Sequence, residues 1–340
     1  MESKNGKHHY LPQFYLKGFL DEDNRKLYSY NKQYKRIREF TPAGIYYEKG
    51  LNDLDFGETG FLNIEDTFFK EKDNIYSQAF NTMKSTYNYD VHSMPLQVKA
   101  DIVEFVMGLY WRVPGCWQRL IDLIDNEGLL TSDLELLGIE TTKVSIDKII
   151  PHIIEDVKRD IRNQKVFMTL FYEENTVKHD WKSLNEKFHI FETNEPMLIG
   201  DIPYVPLKAE NKRGKIMEEF MIPLDKNHVL IYSKKCPAFL EIDLLHYFFL
   251  CIIDGASNKI SCGNYNYLEN KIKEMKPIIQ RYKEMGLNSL KEQLLVPLME
   301  FESRFETFDD FYNYYRKHDM GKSITPEKIE ICQNYIVHKL

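Results

Sequence analysis

The chain has 340 residues, of which 43% are apolar and 14% aromatic, and carries a formal net charge of −7. That length and apolar content exclude a disordered chain and suffice for a buried core, while the mildly acidic balance gives no whole-body attraction for nucleic acid, so any such binding needs a local patch. The five cysteines form no CxxC pair and read as reduced thiols of a cytoplasmic protein; the polar start is not a signal peptide, and no run of about 18 apolar residues exists, so no membrane partner is expected.

Residues 7–19 hold the densest set of unusual side chains, Lys-His-His-Tyr-Leu-Pro-Gln-Phe-Tyr-Leu-Lys-Gly-Phe. Chain ends usually fray, so one this aromatic is expected to dock against the body and carry His9 and Gln13 with it. Leu27–Tyr30 and Arg36–Phe40 alternate as two strands of a hairpin, with the turn-prone Asp21-Glu22-Asp23-Asn24 before them. Pro42-Ala43-Gly44 closes this unit, and Tyr46 to Gly60 reads as irregular. Asn63-Ile64-Glu65-Asp66 then opens a helix, with Asn63 as N-cap.

The clearest helical spacing lies in residues 96–126, where Ile102, Val103, Phe105, Val106, Leu109, Tyr110 and Val113 share one face. Pro114-Gly115 breaks it, and Trp117, Leu120, Ile121 and Ile124 continue on a second segment. Residues 128–145 read as a polar connection, and Asp147 to Phe171 as another helix. Phe188–Phe191, Met197–Ile199, Tyr204-Val205, Met217–Ile222 and His228–Tyr232 are short strand-like runs, and from Phe239 onward the chain reads as helical. These elements predict an α+β protein, a mostly helical body with an N-terminal β-hairpin and a small antiparallel β insert near 187–233. It is read as one body made of segments 1–60, 61–186, 187–233 and 234–340.

Several polar groups stand out. His9 and Gln13 are four apart, which places them on one face if the segment is helical, although Pro12 restricts Leu11 and argues against a helix spanning both. The pair could serve as an acid/base and an orienting donor, or satisfy buried backbone groups. Arg112 lies beside the apolar face that also carries Asp101 and Glu104; it could be a fork for a carboxylate or phosphate, or a structural ion pair. Asp201, in Leu198-Ile199-Gly200-Asp201-Ile202-Pro203, ends an apolar strand in a tight corner, as a functional residue or as an Asx-turn. Lys32, Lys35, Arg36 and Arg38 alternate with Tyr30 and Tyr34, which suits either a stacking nucleic-acid patch or a solvated hairpin tip; Lys212-Arg213-Gly214-Lys215 is a weaker case. No HExxH, Walker loop, GxGxxG or GxSxG occurs.

The stretch His9-Tyr10-Leu11-Pro12-Gln13-Phe14-Tyr15-Leu16-Lys17-Gly18-Phe19 resembles the opening of a bacterial family known as a domain of unknown function, whose members begin His-(Tyr/Phe)-Val/Ile-Pro-Gln-Phe-Tyr-Leu. Ile64-Glu65 looks like its second motif and Arg112-Val113-Pro114 like its Arg-x-Pro helix end. Leu198 to Val205 is similar to its Phe-Ile-Thr-Ser-Asp-Asn-Pro-Val strand, which aligns Asp201 and Pro203. Ile222-Pro223-Leu224 resembles its Pro-Leu strand, and Asn258 matches a late Asn. The likeness runs from about residue 8 to about residue 268. Ile199-Gly200 replaces the family's Thr-Ser, Ile202 its Asn, and Leu109 a Gln. The resemblance implies that polar residues distant in sequence converge on one pocket; it implies no particular mechanism.

Together these features suggest an enzyme acting on phosphate esters. His9 would be general base or acid, and Asp201 and Glu65 would orient it or hold a divalent cation, Mg²⁺ or Mn²⁺. Gln13, Arg112 and Asn258 would bind an anionic substrate, a nucleic acid or nucleotide, as in a nuclease-like or nucleotide-hydrolysing effector of phage defence. No Ser or Cys stands beside a base in the motifs, so no covalent nucleophile is indicated. The alternative is a non-catalytic binding or regulatory module that recognises a small anion or a protein partner.

Overall fold

The computed structural model describes residues 6–21, 23, 25–51, 53–55, 61–63, 68–113, 155, 181–207, 219–240, 242–287, 289–317 and 337–338. The chain opens with β1 (Lys7–His9) and the short α1 (Gln13–Leu16), then forms the expected hairpin of β2 (Leu27–Asn31) and β3 (Arg36–Phe40). It returns in β4 (Tyr47–Lys49), which pairs antiparallel with β1 in the register His9↔Tyr47. Next, β5 (Asp53–Asp55) pairs with β6 (Phe61–Asn63). The stretch read as irregular therefore holds strands. They are three residues long, too short for apolar alternation to show.

The helix expected to open with Asn63 as its N-cap is corrected: Asn63 ends β6, and α2 (Lys70–Ser85) follows with Phe69 at its N-cap and no side-chain cap; residues 64–67 lie outside the described ones. The next, α3 (Leu96–Arg112), buries Ile102, Val103, Phe105, Val106 and Leu109 along the face predicted from spacing. It stops at Arg112 because Val113 precedes a proline, which disfavours helical backbone there; Val113 is extended, with φ −72° and ψ 157°. The expected continuation to residue 126 and the helix over 147–171 lie outside the described residues, apart from residue 155, which is helical.

After α4 (Trp181–Lys187) the chain enters the β region: β7 (Phe188–Glu192), β8 (Ile199–Gly200), β9 (Val205–Pro206), β10 (Phe220–Pro223) and β11 (His228–Tyr232). Four of these form an antiparallel sheet in the order β7-β11-β10-β9. The fifth corrects the expected insert. β8 leaves it and joins the N-terminal hairpin through β13 (Lys259–Cys262), giving a second sheet in the order β3-β2-β13-β8. The continuous helical reading beyond Phe239 is corrected too. β12 (Phe239–Leu240) precedes α5 (Ile242–Gly255), and β13 separates α5 from α6 (Tyr265–Glu284). Lys259-Ile260-Ser261-Cys262 is too short to read alone and becomes a strand because β2 and β8 flank it. Two helices, α7 (Val296–Glu302) and α8 (Phe308–Lys317), and the short β14 (Val337–His338) complete the described α+β fold.

The opening segment is docked as its composition demands. Leu11, Tyr15, Leu16 and Phe19 are buried. Tyr15 stands with its ring centroid 5.3 Å from Phe105 and 6.0 Å from Phe80, and those two rings meet edge to face at 5.1 Å. The Tyr15 hydroxyl donates to the Pro223 carbonyl at 2.6 Å, so this ring ties α3 to the β10 strand end. Gly263 permits the same docking from the other side. A Cβ there would lie 2.5 Å from the Phe19 carbonyl oxygen and 3.0 Å from the Asp21 nitrogen, both backbone atoms that cannot swing aside. Gly263→Ala should therefore destabilise the protein by about 1–3 kcal/mol through overpacking, read as a lower urea midpoint at unchanged m.

Candidate functional site

His9 ends β1, and the two adjacent histidines turn to different partners. His8 Nε2 lies 3.8 Å from Asp53 Oδ1, whereas the His9 ring lies 5.7 Å from that of Tyr47. His9 is 9% exposed, and its Nε2 is buried with no hydrogen-bond partner among the described residues. Burial holds the ring below the ordinary histidine pKa; Lys7 and Arg112 push the same way, and the Ala43 and Pro42 backbone opposes them. Gln13 does not share its face. Pro12, with φ −59° and ψ 145°, separates strand from helix, and Gln13 is the exposed first residue of α1.

Arg112 is buried at the end of α3 and is held on several sides. Nη1 and Nη2 grip Asp73 of α2 as a fork at 2.7 and 3.2 Å. Nη2 also donates to the His9 carbonyl at 3.2 Å, and the guanidinium lies 4.5 Å from the Phe69 ring centre. This is the structural ion pair, the alternative to an anion-binding fork. Because the residue that holds β1 against α2 also lowers the His9 pKa, Arg112 and His9 are brought together.

Asp201 follows β8 and is 1% exposed. Oδ1 accepts the Ser257 amide at 2.7 Å, and Oδ2 accepts those of Asn258 and Lys259 at 2.7 and 2.9 Å. Burial pushes the carboxyl above the usual carboxylate value, and the three amides pull against it. The side chain fastens the turn between α5 and β13, the role of an Asx cap reaching across to another strand. Asn258 contributes backbone to the same turn, accepting from Lys32 N at 2.8 Å. Among the described residues no contact joins His9 to Asp201. The described bonds join His9 to Arg112 and Asp201 to Asn258, and Asp201 acts electrostatically on Tyr10, the neighbour of His9. Glu65 lies outside the described residues, and among those described no group of three or more His, Cys, Asp or Glu is placed to hold a metal ion.

The basic hairpin divides as well. Lys32 Nζ donates to the carbonyls of Ile253, Asp254 and Ala256 at 3.0, 3.3 and 2.6 Å, a cation capping the C-terminal end of α5. Tyr34, Lys35, Arg36 and Arg38 remain exposed at the hairpin tip, with Arg36 over the Tyr34 ring. Lys212 to Lys215 lie outside the described residues.

Sequence reasoning missed one polar constellation. Asp225 Oδ1 meets His228 Nδ1 at 2.8 Å and accepts the amides of Asn227 and His228, while Oδ2 accepts the Tyr89 hydroxyl. The Tyr89 and His228 rings stack with centroids 3.5 Å apart. Burial alone would push the Asp225 carboxyl up, but His228, Tyr89 and the Asn227 amide hold it below the usual range. Asp225-Lys226-Asn227-His228 between two apolar strands was a legible turn signal. The arrival of Tyr89 was not, because it depends on consecutive left-handed residues, Asn88 at φ 45° and Tyr89 at φ 63°.

These features define an α+β protein whose opening strand is locked to the end of a buried helix by a guanidinium fork. The chain belongs to the family described as "Protein of unknown function (DUF4238)", whose model matches residues 7–247. His9, Gln13, Glu65, Arg112 and Asp201 fall within the match, and Asn258 falls beyond it. No curated protein and no solved structure matches the chain.

Two outcomes test the roles assigned here. Asp201→Ala leaves three amides without an acceptor and should destabilise by about 3–5 kcal/mol in urea unfolding, with Asp201→Asn milder. Asp225, lowered in the fold from an ordinary 3.8, contributes stability that is fully present above that value and is lost as pH falls through the lower folded value. Melting temperatures followed from about pH 7 to about pH 3 should fall less steeply for Asp225→Asn than for the natural protein.

Proposed function

We propose that the chain is an enzyme acting on phosphate esters, with His9 as its proton-transfer group. One observation carries this reading: His9 Nε2 is buried and has no hydrogen-bond partner among the described residues, on a ring whose pKa is lowered. A ring lowered from 6.5 is neutral at pH 7, so its free nitrogen can accept a proton. The positive charges of Lys7 and Arg112 beside it favour a substrate that brings negative charge. Arg112 then acts as a positioning residue, since its fork is engaged by Asp73 and the His9 carbonyl. Gln13, exposed at the start of α1 and four residues on, is proposed as a further donor to the substrate although it does not share the His9 face. Because Nε2 is closed off, the substrate has to uncover the ring on entry. The particular form proposed is a nuclease-like or nucleotide-hydrolysing effector, with phage defence as its setting.

A non-catalytic module that recognises a small anion or a protein partner is the competing reading. The internal bonding of Arg112 and Asp201 favours it, because residues so engaged serve architecture.

Cleavage of single-stranded and duplex DNA, RNA and nucleotides, with and without Mg²⁺ or Mn²⁺, separates the two. His9→Ala and His9→Gln should lose about 100-fold or more in rate while melting close to the natural protein. The base-form activity should be flat above the lowered His9 pKa and disappear as pH falls through it. Full activity in His9→Ala, or no turnover by the natural protein, would overturn the enzyme reading and leave the binding module.

A further inference from the structure

At the opposite end of α3 from Arg112, about 20 Å along the helix axis, a cavity of about 490 Å³ opens between the first turn of α3 and α4. Its walls include His92, Leu96, Lys99, Trp181, Lys182 and Asn185. That volume is in the range of small-ligand sites.

Lys99 is the anomaly in this wall. It is 2% exposed, and its ammonium has three hydrogens to place. One goes to Asn185 Oδ1 at 2.6 Å, and among the described residues no carboxylate stands within ion-pair distance. A buried charge without a counter-charge is costly, and burial accordingly lowers the Lys99 pKa. The nearest acid that acts on it, Asp90, is exposed and already accepts the His92 amide. A structural lysine would be expected to have a carboxylate here or to reach into water; this one lines a cavity instead.

The rest of the wall has matching chemistry. Pro95 caps α3 without any side-chain hydrogen bond, and the first turn carries no acidic residue, so the positive end of the helix dipole faces this region. Lys182 adds a second cation at the rim, 85% exposed and only 3.9 Å from Glu186. Trp181 presents an indole that is 45% exposed, and Leu96 is 38% exposed beside it. A buried cation, a helix start and a partly exposed indole suit an anion attached to a flat ring.

We propose that this cavity binds a nucleoside monophosphate, with the phosphate on Lys99 and the base against Trp181. The site does not depend on His9 and stands or falls separately from the enzyme reading.

The test is calorimetric titration of the natural protein with adenosine monophosphate, inorganic phosphate and adenosine. Saturable binding of the monophosphate is expected, tighter than that of either part. Lys99→Met keeps the apolar stem and should weaken monophosphate and phosphate binding about tenfold or more, while melting no lower than the natural protein. Trp181→Ala, on the surface, should weaken the monophosphate and leave inorganic phosphate unchanged. His9→Ala should bind the monophosphate like the natural protein. No saturable binding by the natural protein, or unchanged affinity in a folded Lys99→Met, would overturn the proposal. If Lys99→Met melts lower and binding survives in Trp181→Ala and Lys182→Ala alike, Lys99 is structural and the site is refuted.

Discussion

A buried guanidinium has to be met on every side, and Arg112 is the constraint around which the N-terminal half of the molecule is arranged. Its charge cannot be left in the core unpaired, so Asp73 must be brought to it, and α2 must pack against α3 in the register that does so. The same group takes the His9 carbonyl, which fixes where β1 ends. Below it, Tyr15, Phe80 and Phe105 fill the space between the opening segment and the two helices. The ion pair contributes position more than net stability, because desolvating both charges offsets much of their attraction; the aromatic burial supplies the favourable free energy.

Asp201 and Lys32 do for the second sheet what Arg112 does for the helices. One collects three amides of the turn after α5, and the other caps the carbonyls at the end of that helix. Between them they hold β13 in line, so that it pairs with β2 on one side and β8 on the other. The Tyr46 hydroxyl joins Ser261 at 2.5 Å and links this sheet to the strand that pairs with β1. The polar bonds that position His9 and those that build the second sheet are therefore connected through one short segment of chain.

The family's landmark residues divide by what their side chains touch. Arg112 and Asp201 are engaged inside the protein, whereas His9 Nε2 is buried and, among the described residues, accepts no hydrogen bond. Lys99, which no motif marked, is the buried cation in a cavity wall. Residue type and position in a motif did not separate these cases. A charge beside an apolar helix face needs a partner whether that partner is a ligand or another side chain, and only the tertiary fold decides which is present.

The sequence by itself determined the α+β class, the hairpin at 27–40, the core face of α3 with its stop before Pro114, and the docking of the aromatic opening. Each follows from a local rule: alternation, helical spacing, proline sterics, or the cost of exposing apolar rings. The tertiary structure alone decided that β8 leaves its neighbours for the N-terminal sheet, that Lys259–Cys262 is a strand, and that Arg112 and Asp201 are each bonded inside the protein. It also decided that Tyr89 closes over Asp225 and His228. Those outcomes depend on partners far away in the chain, as Tyr15 and Pro223 lie 208 residues apart and Lys32 and Ala256 224 apart, and such pairings are set by packing and by satisfying buried polar groups, which leave no periodic trace in the local sequence.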